Sequence, residues 1–209
     1  MDQNERFKRQ TDIVKVEDVD FPIHILGAGG IGSWVALNLA MMGCPNITVY
    51  DDDTVEEHNV ASQFYKEEQL GMLKTEALLN NVKEQSGLDI VTATQVTELE
   101  IKEGVVILCI DSMEGRKRLS ELYKDKNIYI IDGRMGGLQL EIYCYPSSEY
   151  PKTIVPDEEV THELCTSKAI CFNCSVIGGL IANYVRLLGK KKLTSQEITF
   201  GFNEILLIK

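Results

Sequence analysis

The chain is 209 residues long, 44% hydrophobic and 25% charged, with a formal net charge of −11 and a pI near 4.8. That is ordinary globular composition, enough for one α/β domain with a sizeable core and not for two full ones, and the negative charge argues against a non-specific grip on nucleic acid or an anionic membrane. No apolar run reaches the length of a membrane span, the N-terminal MDQNERFKRQ is too polar for a secretory signal, and six scattered cysteines fit a reducing setting better than a disulfide framework, so a cytoplasmic protein is expected.

Residues 1–20 read as a polar arm with a short helix around Gln3 to Gln10. An apolar run, Ile23 to Leu26, then predicts a buried strand. The glycine loop Gly27-Ala28-Gly29-Gly30-Ile31-Gly32 follows directly, and a helix-spaced apolar segment continues through Met42. After a break at Gly43 and Pro45, a second strand, Ile47 to Tyr50, ends on Asp51. Strand, glycine turn, helix, strand and acid in that order make a nucleotide-binding βαβ unit. Glycines at 27, 29, 30 and 32 are the candidate phosphate-binding positions, because a loop without Cβ atoms lets backbone approach a phosphate at a helix N-terminus. Asp51 is placed to accept hydrogen bonds from ribose hydroxyls.

Further on, Lys66 to Glu84 carries Leu70, Leu73, Ala77, Leu78 and Val82 at helical spacing. A strand is expected over Leu88 to Val96, a central parallel strand over Gly104 to Ile110, a helix over Met113 to Lys124 and a strand over Ile128 to Ile131. From Leu138 to Cys144 the alternation changes to that of a half-buried antiparallel strand. Tyr145 to Leu164 reads as a long loop, Ala169 to Leu188 as an apolar helix, and Ile198 to Phe202 and Ile205 to Ile208 as two closing strands. The fold class is therefore α/β, a doubly wound, mostly parallel Rossmann-like sheet with added antiparallel strands in the C-terminal part. One domain over 1–209 is expected: an arm to residue 20, a nucleotide-binding half over 21–135, and a second half over 136–209.

Ligands in such sheets sit beyond the carboxyl ends of the strands, where Asp51, Asp111 and Asp132 fall. A bare carboxylate at Asp111 suits a nucleotide triphosphate, whose Mg²⁺ is held by carboxylate and phosphate oxygens. An N-cap for the next helix, shared with Ser112, explains it equally well. Downstream of Asp51 stand Asp53, Asn59 and Gln63, then Lys74 on the next helix.

With GAGGIGS at Gly27 to Ser33, DDDTVEEHN at Asp51 to Asn59, GMLK ending at Lys74, LCIDSMEGR at Leu108 to Arg116 and VIGGLIA in the last long helix, the chain resembles the ThiF/MoeB/HesA-type members of the ubiquitin-activating, E1-like superfamily. These adenylate small sulfur-carrier proteins. The resemblance runs from Arg6 to about Leu188. It implies ATP with Mg²⁺, adenylation of the C-terminal carboxylate of a ubiquitin-like or sulfur-carrier protein or peptide, typically ending Gly-Gly, and a homodimer. Asp51 would hold the ribose, Lys74 a phosphate and Asp111 the metal, with Asp53, Asn59 and Gln63 around the pocket. RFKRQ, Arg6 to Gln10, matches the family's arginine segment, so Arg9 would act on the partner subunit's site; a solvated basic tail is the plainer alternative. Cys165 falls where relatives carry a cysteine that takes the acyl group, and an incidental loop cysteine is the other reading. The implied partners include neither nucleic acid nor membrane.

Two departures qualify this picture. Ser62 replaces the arginine that usually precedes Gln63, which removes one charge-assisted phosphate contact, about 1.5–3 kcal/mol, unless Arg134 substitutes. The paired CxxC motifs of zinc-bearing relatives are absent. Cys171-Phe-Asn-Cys174 is a single CxxC, and two ligands do not make a tetrahedral zinc site, so no structural zinc is expected. A non-catalytic E1-like binding subunit is the alternative function, and an NAD-dependent oxidoreductase the reading from the glycine loop alone.

Overall fold

A computed structural model describes residues 3–94, 101–154, 169–193 and 195–202. Seven strands form one sheet in the order β3-β2-β1-β4-β5-β6-β7. They are β1 (Ile23–Leu26), β2 (Ile47–Tyr50), β3 (Val91–Ala93), β4 (Glu103–Leu108), β5 (Asn127–Gly136), β6 (Gln139–Pro146) and β7 (Gln196–Gly201). The first five run parallel, and β6 and β7 are antiparallel additions, as the change of alternation at Leu138 implies. The helices are α1 (Gln3–Arg6), α2 (Gly32–Met42), α3 (Glu57–Val60), α4 (Lys74–Ser86), α5 (Met113–Tyr123) and α6 (Cys171–Gly189).

Alternation along the central strands divides the core into two layers. Ile23, Ile25, Val105 and Ile107 face a cluster with Val35, Leu39, Leu78, Ile177 and Ile181 of α2, α4 and α6. Leu26, Val106, Leu108 and Ile130 face a second cluster with Leu119 and Tyr123 of α5. The sheet is thus covered on both sides, which parallel sheets require. α6 has the length and apolar character of a membrane span, contrary to the sequence expectation. One of its glycines serves helix packing: a Cβ on Gly178 would lie 2.7 Å from the Trp34 Cβ, so α2 and α6 approach at backbone distance.

Several boundaries differ from the sequence reading for identifiable reasons. α4 starts at Lys74, not Lys66, because Gly71 adopts φ +83° and Thr54 bridges Leu73. Leu70 and Leu73, counted into the helical stripe, are exposed. β5 continues through Asp132 to Gly136, so Asp132 lies inside a strand rather than beyond its end. The arm's helix is a single turn, and the segment after it packs back on the body of the chain. Phe7 is buried beside Gly43, Gln10 Nε2 donates to the Met42 carbonyl at 2.6 Å, and the Arg6 guanidinium donates to the Ser86 carbonyl. The expected strand at 205–208 and the second half of the long loop lie outside the described residues.

Candidate functional site

The order of the strands reverses between β1 and β4, and the glycine loop sits in that crevice, where doubly wound sheets bind ligands. Gly27 (φ +100°) brings its backbone against β4; a Cβ there would lie 2.5 Å from the Cys109 carbonyl oxygen. Gly32 is equally constrained, since its Cβ would fall inside the Gly27 carbonyl. Gly29 has nothing within 4 Å of its Cβ position and so presents open backbone outward, whereas a Cβ on Gly30 would lie 3.2 Å from Cys174 Sγ. The four candidate glycines therefore do different things, and Gly29 alone faces free space. Gly32→Ala is expected to cost about 1–3 kcal/mol by overpacking, a drop of about 2–4 °C in Tm per kcal/mol at this chain length. Gly29→Ala is expected to stay within about 0.5 kcal/mol of wild type while weakening nucleotide binding. Thermal melts and ATP titrations on the two variants separate these effects.

Asp51 is buried beside the loop. Its Oδ2 accepts from the Ala28 N–H at 2.6 Å and its Oδ1 from the Asp53 N–H at 2.9 Å. Burial pushes its pKa above the ordinary carboxylate value, against the opposing pull of those two N–H groups and Lys74. The Tyr65 hydroxyl donates to the Ala28 carbonyl at 2.6 Å from the other side, a contact with no sequence signature.

Lys74 opens α4, with its side chain only 9% exposed, and its Nζ lies 2.7 Å from Oδ2 of Asp53, whose side chain is 68% exposed. The Lys74 N–H also donates to the Asp53 carbonyl at 2.9 Å. The structure therefore brings Lys74, Asp51 and Asp53 together at the mouth of the loop. Asp51, Asp52 and Asp53 also have carboxylate oxygens within 4.8 Å of one another, but the Lys74 ammonium already engages Asp53.

Asn59 is buried in α3, and its Oδ1 accepts from the Glu56 N–H at 2.9 Å, so this oxygen holds the helix start. Gln63 adjoins it, and its Oε1 is a buried acceptor without a partner among the described residues. Ser62 is buried, and its carbonyl accepts from the Trp34 indole at 2.9 Å, so the residue in the place of the family's arginine supports α2 instead. Asp111 is exposed just past β4. The competing N-cap explanation is resolved, because Ser112 Oγ accepts from the Gly115 N–H at 3.1 Å and caps α5 by itself.

Asp132 is fully enclosed. Arg116 Nε reaches Oδ1 at 2.9 Å, while Arg134 Nε at 2.7 Å and the Tyr150 hydroxyl at 2.9 Å reach Oδ2. Burial would raise its pKa, but the two guanidiniums prevail and hold it below the ordinary range. Arg116 continues to the Ile110 carbonyl at 2.5 Å and so ties down the backbone next to Asp111. Arg134 also donates to Thr153 and stacks 4.2 Å from the Tyr143 ring centroid. It is buried in this network and does not stand in for the arginine absent at position 62.

Arg9 is exposed in the turns after α1, at the end of α2 remote from the glycine loop. An 11-residue helix is about 16 Å long, which separates Arg9 from its own subunit's loop. Cys165 lies outside the described residues.

The ThiF family model matches residues 15–205. "Ubiquitin-like modifier-activating enzyme 5" of Arabidopsis thaliana is 29% identical over 125 residues, 49% of this chain and 29% of that protein. "Adenylyltransferase and sulfurtransferase MOCS3" of Caenorhabditis briggsae is 32% identical over 132 residues, 58% of this chain and 33% of that protein. These alignments span about a third of the relatives' lengths. Among solved structures, E. coli MccB with ATP superposes with a TM-score of 0.72 at 17% identity, covering 97% of this chain and 69% of that one. MccB in complex with N-formylated MccA gives 0.76 at 18% identity, covering 97% and 71%. At such identity the likeness establishes the fold.

Proposed function

The chain belongs to the ThiF family, and from that premise we propose that it uses ATP to adenylate the C-terminal carboxylate of a peptide or of a small ubiquitin-like or sulfur-carrier protein, releasing pyrophosphate. The observation that carries this reading is Lys74: a nearly buried lysine whose ammonium is held at the mouth of a nucleotide loop by an acid that is itself mostly in solvent. Such a cation suits a triphosphate and has no general use in hydride transfer to a dinucleotide. The relatives' names and the MccB structures with ATP and with MccA support the substrate classes.

In the reaction, a substrate carboxylate oxygen attacks the α-phosphorus and pyrophosphate leaves. A C-terminal carboxyl has an ordinary pKa of about 3.3–3.7, so it arrives ionised and needs no protein base. Catalysis then rests on positioning and on offsetting phosphate charge. Gly29 admits the phosphates, Asp51 holds the ribose, and the unpaired Gln63 Oε1 awaits a donor. Lys74 moves from Asp53 onto phosphate oxygen. Asp111, exposed and without a competing partner among the described residues, fits Mg²⁺, which would supply further charge neutralisation on the phosphates. Arg9 is too far from its own loop, so its role requires a symmetric homodimer in which it serves the partner subunit's site. A cytoplasmic location suits an enzyme of this kind.

Pyrophosphate exchange into ATP, assayed with Mg²⁺ against a panel of peptides and small proteins ending in Gly-Gly, tests the proposal. Exchange that depends on both metal and carrier is expected, and Asp111→Asn should lose that exchange while remaining folded. Ser62 motivates the second reading, a non-catalytic binding subunit, because the family's arginine is missing there and Arg134 is engaged with Asp132. Calorimetry showing no ATP binding alongside tight association with another chain would favour it. Nicotinamide dinucleotide binding without competition from ATP would instead point to an oxidoreductase.

A further inference from the structure

The CxxC at Cys171 to Cys174 has no part in the chemistry above, yet the fold gives its two thiols opposite environments. Cys171 is the first residue of α6 and is exposed, whereas Cys174, one turn on, is fully buried. Residues three apart on an α-helix have Cα atoms about 5 Å apart by helix geometry, inside the roughly 4.4–6.8 Å window of disulfides. Both cysteines are free. The two are electrostatically coupled, since burial and then Cys171 raise the Cys174 pKa to about 11. Among the described residues no third Cys, His, Asp or Glu joins them in a metal-binding group, and two thiolates alone do not close a tetrahedral zinc site. Cys174 Sγ also lies 4.0 Å from Met135 Sδ and packs toward Gly30 of the glycine loop. A sulfur that moves here moves against that loop.

We propose that Cys171 and Cys174 form a redox-active dithiol that reacts by thiol–disulfide exchange with a low-molecular-weight disulfide such as oxidised glutathione. Cys171, the accessible sulfur, attacks one sulfur of the incoming disulfide as its thiolate. A Cys171 mixed disulfide forms, and the first thiol leaves as thiolate and takes up a proton. Cys174 then attacks Cys171 Sγ, closing the Cys171–Cys174 disulfide and expelling the second glutathione as a thiolate, which takes up the proton given up by the Cys174 thiol. Two protein thiols are oxidised and one disulfide is reduced to two thiols, so atoms and electrons balance. The site is independent of the adenylation chemistry and touches it only through Gly30.

Equilibrating the full chain with oxidised glutathione and mapping cysteine-containing peptides by mass spectrometry tests this without ATP. Wild type is expected to accumulate an internal Cys171–Cys174 disulfide with little bound glutathione. Cys174→Ala is expected to stop at a stable glutathione adduct on Cys171, and Cys171→Ser to leave the buried Cys174 unmodified. Because Gly178 of α6 packs on Trp34, the sole tryptophan, oxidation of wild type should also shift tryptophan emission, reversibly with reduced glutathione. Three outcomes would overturn the proposal: glutathione persisting on Cys171 equally in wild type and Cys174→Ala, no reaction at either cysteine, or a disulfide from Cys171 to a different cysteine.

Discussion

Replacing Lys74 by methionine is expected to lower carrier-dependent pyrophosphate exchange by about 100- to 1,000-fold, the usual loss when one preorganised charge that stabilises a transition state is removed. The effect on folding should be small. Asp53, the partner left behind, is mostly solvated, so its charge is screened by water once the lysine is gone, and replacing the nearly buried ammonium by an apolar side chain leaves no enclosed charge unpaired. Methionine keeps the apolar stem that lines the site and removes only the charge, so a melt within a few degrees of wild type alongside lost exchange would assign Lys74 to chemistry. Exchange retained within a few-fold would remove it from that role. Lys74→Ala should lose as much activity and somewhat more stability, because the buried stem goes too.

Asp132→Ala has the largest expected effect on folding. Arg116 and Arg134 are both buried and both donate to this one carboxylate, so alanine leaves two enclosed guanidiniums without their counter-charge. Breaking a buried pair from one side costs about 3–5 kcal/mol, which at this length is about 6–20 °C in Tm. Arg116→Met should cost less, since Asp132 keeps Arg134 and the Tyr150 hydroxyl. The pH dependence has a definite sign. The folded-state pKa of Asp132 lies below its unfolded value, so its contribution is full above about pH 4 and is lost as pH falls through the lower, folded value. Urea midpoints from pH 7 down to pH 3 should therefore show the gap between wild type and Asp132→Asn narrowing at the acid end. A gap constant across that range would contradict the ion-pair assignment.

Asp132 also shows what the sequence conceals. The sequence pattern groups it with Asp51 and Asp111 as an acid near a strand end, but a strand's last residue is not fixed by its apolar run. β5 runs five residues past Ile131 because β6 pairs with it there. Arg116 and Tyr150 come to Asp132 from 16 and 18 residues away, a convergence set by tertiary packing. The glycine loop and Asp51, by contrast, were legible because their roles are local: a tight turn, a helix start and an acid at the end of the adjacent strand. The start of α4 was misread since Leu70 and Leu73 keep helical spacing through a turn that Gly71 breaks. Ser112 as the sole cap of α5 settled an ambiguity that residue types left open, because Asp and Ser cap about equally well.

Activation of the carboxylate as an acyl-adenylate is measured directly by chemical capture. The protein, ATP, Mg²⁺ and a Gly-Gly-ended carrier are incubated with hydroxylamine, which converts an acyl-adenylate to a hydroxamate, and the carrier's C-terminus is read by mass spectrometry. A hydroxamate on the terminal residue is expected, dependent on ATP and absent with Lys74→Met. No hydroxamate on any carrier tested, under conditions where calorimetry shows ATP bound, would contradict the account.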